Sequence, residues 1–217
     1  MYILDTGPIF KFFATDCVPQ LVKALGGNPV HVPAAVEFEI YDTPKRRPQF
    51  IRAAETWPRF PGRFKRIISD APTEDLQQCC RDVLGVEFDD MYSLTKDRGE
   101  NMAILHGVLL ARSGERVVIV CDEENGTALI KKQARLLMIQ HQRGLHVPGG
   151  AIAHATTLTL LQWAIERGGF KNRAEFIKKY HAMASLDEAL PKDVGLSSFL
   201  CKWFYLVGWE SVRVVKG

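Results

Sequence analysis

Apolar and polar positions alternate between two periods along the chain. Met1-Tyr2-Ile3-Leu4 reads as a buried strand running directly into Asp5, Thr6 and Gly7. Pro8 suits the first turn of a helix, where its missing N–H is harmless. Ile9, Phe12, Phe13, Leu21, Val22 and Leu25 give that helical stretch its apolar face, with a break expected near Pro19 and an end at Gly26-Gly27. Val30-His31-Val32 predicts a short strand, and Pro33 opens a helix through about Ile40. Residues 43–66 are rich in proline and arginine, with a helix expected from Arg47 to Trp57. Arg66-Ile67-Ile68-Ser69 reads as an edge strand. A helix begins at Thr73, and residues 85–97 are acidic and irregular. Gly99 to Arg112 predicts a helix, Arg116 to Cys121 the clearest buried strand, and Gly126 to Gln142 another helix. Leu145-His146-Val147-Pro148 reads as a last short strand.

From Ala151 the pattern changes. An apolar helix (Ala153 to Arg167) and a basic helix (Arg173 to Ala184) precede a segment with Trp203, Phe204, Tyr205 and Trp209. Ser211 to Val215 alternates like an edge strand. Strands and helices that alternate, with β-branched strands, imply an α/β fold whose parallel sheet is covered on both faces. The expected organisation is one domain over residues 1–150 and a mostly helical extension over residues 151–217, packed on the domain or at an interface.

Composition narrows the class without naming a function. The 217 residues are 47% hydrophobic, enough for a substantial core, and the net charge of +3 does not by itself demand nucleic acid. Five cysteines without C-x-x-C spacing read as reduced thiols, not as a disulfide frame or zinc site. No basic leader precedes an apolar core, and no apolar run approaches membrane-spanning length, so a cytoplasmic protein without a membrane partner is expected.

The chemistry lies in acids placed at strand and helix ends. In open parallel sheets, ligands bind beyond the carboxyl ends of the strands, where Asp5 and Asp122 fall. Two helices add Glu37 or Glu39 and Glu100, and Glu123, Glu124 and Asn125 follow Asp122. Each has a plainer reading. Asp5 and Asp122 suit helix caps, Glu100 suits a helix N-terminus, and Glu37 or Glu39 suits a solvated face. Acids gathered together repel one another and resist burial. A fold tolerates them mainly around a cation, and oxygen ligands favour Mg²⁺ or Mn²⁺.

Leu4-Asp5-Thr6-Gly7, Pro33 and Val36 leading to Glu39-Ile40, Gly99-Glu100-Asn101-Met102-Ala103-Ile104, and the strand ending on Asp122 occur in this order. Over residues 1–150 this set resembles the PIN-domain nucleases, which include the VapC-type toxin ribonucleases. The resemblance implies a three-layer α/β/α sandwich with a central parallel sheet, and Mg²⁺- or Mn²⁺-dependent cleavage of RNA. By the same resemblance Asp5, Glu100 and Asp122 are metal ligands, with Glu123 or Glu124 completing the set. Glu39, with Glu37 as its rival, binds metal or positions water, and Thr6 and Asn125 support the site. Glu in place of the usual Asp after Asp122 is a departure from the family. A structure-specific DNA nuclease and a non-catalytic RNA- or protein-binding module are the alternative readings. An antitoxin is the partner the resemblance implies, and the apolar helix after Ala151 offers a surface for the domain, a second copy of the chain or another protein.

A ribonuclease also needs cations for phosphate. Lys45, Arg46, Arg47, Arg63, Lys65 and Lys131 are the candidates for a basic rim. Trp57, Phe60 and Phe64 interleave with them, as base-stacking residues or as core anchors.

Overall fold

The computed structural model describes residues 1–94, 96–145, 149–186 and 190–192. Its elements run β1 (Tyr2–Leu4), α1 (Thr6–Ala14), α2 (Val18–Ala24), β2 (Val30–Pro33), α3 (Ala34–Arg46), α4 (Ile51–Thr56), β3 (Lys65–Ile68) and α5 (Glu74–Leu84). They continue with α6 (Phe88–Ser93), α7 (Arg98–Arg112), β4 (Arg116–Val120), α8 (Glu124–Gln142), β5 (Ala151–Ala155), α9 (Thr157–Glu166) and α10 (Arg173–Ala184). The strands form one all-parallel sheet in the order β3-β2-β1-β4-β5. The α/β class with a central parallel sheet is therefore as expected.

Successive side chains of a strand point to opposite faces, and the two faces carry separate cores. Ile3, Val117, Ile119 and Ile152 bury with Leu76, Val83, Leu105, Val108 and Ile130 from α5, α7 and α8. Leu4, Val30, Val32, Val120 and Ala155 bury on the other face with Phe12, Phe13, Leu21, Leu161 and Phe176 from α1, α2, α9 and α10. Each fully buried side chain of this size contributes about 1.5–3 kcal/mol, so both layers are anchored. Helices on both faces make three layers.

The strand order reverses at β1, which pairs with β2 on one side and β4 on the other. Such a switch point leaves a crevice beyond the carboxyl ends of the two strands.

Three expectations are corrected. The stretch at 85–97 is not irregular throughout, because it holds α6; Phe88 and Met91, three apart, reach the core together, and Phe88 stacks on Tyr92. The boundary at residue 150 does not separate a domain from an extension. Ala151–Ala155 is the edge strand of the main sheet, paired along its length with β4, and α9 and α10 complete one core. Alternating alanines have helical propensity, and the open edge of β4 overrides it. The helix expected from Ala153 begins only at Thr157, behind a capping box on Thr156. Most of the strand expected at Leu145–Pro148, and all of the aromatic segment and strand expected after residue 192, lie outside the described residues. No helix among the described residues is long and apolar enough to cross a membrane.

Candidate metal centre

A cavity opens at the switch point, lined by Asp5, Thr6, Glu39, Glu100 and Glu123, together with Phe10, Thr43, Arg47, Phe50 and Asp97. Asp97 and Glu100 come together at the start of α7, and the other three acids come each from a different element. Asp5 is the first residue beyond β1 and occupies the N-cap position of α1, yet its side chain makes no capping hydrogen bond. The plain cap reading of Asp5 is therefore not what is observed. Glu39 lies on α3, Glu100 in the first turn of α7, and Glu123 at the N-cap of α8.

Neighbours hold the Glu39 carboxylate from both sides. The Thr6 hydroxyl donates to Oε2, and the Gly99 N–H donates to Oε1 at 3.0 Å. Glu37, the rival position, turns away and accepts from the Trp57 indole Nε1 at 2.8 Å. Two positions along a helix face nearly opposite directions, so only one of the pair reaches the cavity.

Glu100 Oε2 accepts a long hydrogen bond from the Cys121 thiol at 3.4 Å. One carboxylate oxygen each of Asp5 and Glu100 and the Cys121 sulfur lie within 4.8 Å of one another. Two glycines make the seats for these acids. A Cβ on Gly99 would stand 2.7 Å from Glu39 Oε2, and one on Gly126 would stand 2.6 Å from the Glu100 carboxyl carbon.

The electrostatics match a crowded, buried set of acids. Burial, then the negative charges of Glu39, Glu100 and Glu123, pushes the Asp5 carboxyl up to about 8, against the Thr6 backbone N–H, which favours its charged form. Burial and Glu123 push Glu100 up to about 7, opposed by the Cys121 thiol. Glu39 is raised by burial, with Thr6 and Gly99 opposing. Burial and the two neighbouring carboxylates push the Cys121 thiol far up as well. Among the described residues that line the cavity, Arg47 is the one cation.

Asp122 is not brought to the cavity wall. Its carboxylate accepts from Lys11 Nζ at 2.8 Å, from Thr157 N at 2.7 Å and from Thr157 Oγ1 at 2.5 Å. Residues that continue a strand alternate in direction, so Cys121 and Glu123 share one side while Asp122 takes the other. Asp122, which resemblance makes a metal ligand, is thus held by Lys11 and Thr157, while its neighbour Glu123 lines the cavity. Glu124 and Asn125 are exposed at the start of α8 and do not line the cavity.

The expected basic rim reduces to one residue. Arg47 lines the cavity with its guanidinium 4.9 Å from the centre of the Phe50 ring. Lys45 and Arg46 pair with Asp42 on the outer face of α3. Arg63 covers Phe64, Lys65 bonds the Trp57 carbonyl, and Lys131 is exposed on α8. Trp57 and Phe60 are buried core anchors.

Sequence reasoning missed Lys11, Cys121, Gly126 and Thr157. It also missed Asp70, which accepts from the Ala35 N–H at 2.6 Å and meets His106 Nε2 at 2.8 Å, tying the start of α3 to α7. Only Cys121, directly after the buried strand β4 and before Asp122, carried a local signal.

No family model, curated protein or solved structure matches the chain.

Proposed function

We propose that this chain is a PIN-like, divalent-metal-dependent phosphodiesterase that cleaves RNA. The reading is carried by one observation: five carboxylates, Asp5, Glu39, Asp97, Glu100 and Glu123, line a cavity at the sheet's switch point, with Arg47 the one lining cation among the described residues. Burial and the repulsion of neighbouring carboxylates raise the carboxyls of Asp5 and Glu100 there.

The donor set fits a cation. Asp5 and Glu100 would hold it from β1 and α7, with Glu123 facing them from the start of α8. A divalent ion in that position supplies Lewis acidity for a phosphoryl oxygen and an acidified water. The protein's own groups supply the rest. Glu39, fixed by Thr6 and Gly99, is oriented to accept the proton of an attacking water. Arg47 flattens on Phe50 at the same cavity and is placed to meet a non-bridging phosphate oxygen. The likeness to the toxin ribonucleases favours RNA over DNA.

The test is cleavage of a single-stranded RNA with Mg²⁺ or Mn²⁺ by the wild type, Asp5→Asn and Glu100→Gln. Metal-dependent cleavage that survives both substitutions would overturn the assignment. A flapped DNA substrate in parallel assigns the nucleic acid. A protein that binds metal and cuts neither substrate is a binding module.

A further inference from the structure

Beside the cavity, one of the donor atoms close to its acids is a sulfur. Cys121 follows β4 directly, is 1% exposed, and places its sulfur in the same 4.8 Å cluster as the oxygens of Asp5 and Glu100. Asp5 is only 6% exposed and lines the cavity, and its side chain makes no capping hydrogen bond to α1. Gly126 keeps this corner open: a Cβ there would stand 2.8 Å from the Cys121 sulfur as well as 2.6 Å from the Glu100 carboxyl carbon. Donors bound to one ion at about 2.0–2.3 Å lie roughly 3–4 Å apart. The observed spacing, within 4.8 Å, is close to that range.

We propose that Cys121 is a ligand of this centre, and that with Asp5 and Glu100 it forms a mixed oxygen–sulfur site for a borderline divalent ion such as Zn²⁺ or Co²⁺. The inference rests on the metal-dependent reading above and changes the class of ion that reading implies. Mg²⁺ gains nothing from sulfur, whereas Zn²⁺ and Co²⁺ do. With Mg²⁺ the thiol stays a hydrogen-bond donor to Glu100 Oε2. With a borderline ion the sulfur–metal bond forms as the S–H bond breaks, and the proton leaves to solvent. No electrons are transferred. Glu100 Oε2, released from the thiol, turns to the same ion. Carboxylate sites in general hold Zn²⁺ more tightly than Mg²⁺, so the order of affinities is not diagnostic and the sulfur's own signature is.

The experiment titrates the reduced full-length chain with Co²⁺ and, separately, with Mg²⁺. Wild type is expected to show a sulfur-to-cobalt charge-transfer absorption in the near ultraviolet. Cys121→Ser is expected to lose that band and at least roughly tenfold in Co²⁺ affinity, while its Mg²⁺ affinity changes by less than about threefold. Asp5→Asn leaves the sulfur in place and is expected to lose the band too, which keeps the test open should Cys121→Ser not fold. Co²⁺ binding without the band, a band that persists in Cys121→Ser, or unchanged Co²⁺ affinity in Cys121→Ser would sink the sulfur ligand and leave the metal reading standing. If neither ion binds the wild type, both fall.

Discussion

Lys11 and Asp122, 111 residues apart, meet in a buried ion pair with Nζ 2.8 Å from Oδ2. Their side chains are 1% and 8% exposed, and Thr157 donates to the same carboxylate through both its N–H and its hydroxyl. The pair joins α1, the segment after β4 and the start of α9. Removing one partner of such a buried pair is strongly destabilising, by about 3–5 kcal/mol.

Asp122→Ala is therefore expected to behave as a stability variant. Chemical denaturation should show a loss of about 3–5 kcal/mol. Divalent-ion affinity, measured below the unfolding transition, should fall much less than in Asp5→Asn. A reversal of that ranking would return Asp122 to the metal's ligand set.

Glu39 and Glu37 separate in the opposite way. Glu39→Gln keeps the shape and the hydrogen-bond capacity of the side chain but removes the proton acceptor, so a drop in kcat of about 10²-fold or more is expected, with little change in Tm. Glu37→Gln can still accept from the Trp57 indole and should leave kcat near that of wild type. Equal losses in the two variants would contradict the orientation of α3.

Gly99 and Gly126 predict a rarer phenotype. A methyl group at either position meets the flexible carboxylate of Glu39 or Glu100. At Gly126 it also meets the Cys121 sulfur, 2.8 Å away. Gly126→Ala should therefore displace Glu100, weakening metal binding by roughly 10–100-fold, while thermal stability changes little. Gly107→Ala is the contrast, because a Cβ there stands 2.4 Å from Ile119 Cδ1 within the packed core. That variant should lower Tm.

The pH dependence has a definite sign. Asp5 is raised from 3.8 to about 8 and Glu100 from 4.5 to about 7. Between those values the folded protein holds more protons than the unfolded chain, so stability falls as pH rises. It is fully present below about pH 4 and lost by about pH 8. In chelator, Tm should drop from pH 5 to pH 8, by roughly 2–4 °C for each kcal/mol lost. A divalent ion must displace those protons, so its stabilisation should grow over the same window. Calorimetry with and without the ion checks both halves, and Asp5→Asn should flatten the slope in chelator.

Much of this was legible in the chain. Buried strands ending at Leu4 and Val120 announced themselves by β-branched runs, and their order with the intervening helices implied a parallel sheet. Gly99-Glu100 and Asp5-Thr6 were visible as local patterns, and they do meet at one cavity. Less legible were α6, whose period is too short to stand out, and β5, whose alanines favour a helix until an open strand edge pairs with them.

The sequence by itself determined which segments bury and which acids stand at their ends, because periodicity and turn chemistry are local properties. Only the tertiary structure decided which carboxylates share a cavity. It sent Glu39 inward and Glu37 to Trp57, gave Asp122 to Lys11 and Thr157, and put Cys121 beside Asp5 and Glu100. The physical reason is directional. One residue along a strand, or two along a helix, reverses where a side chain points, and what it then meets comes from residues far away in the chain.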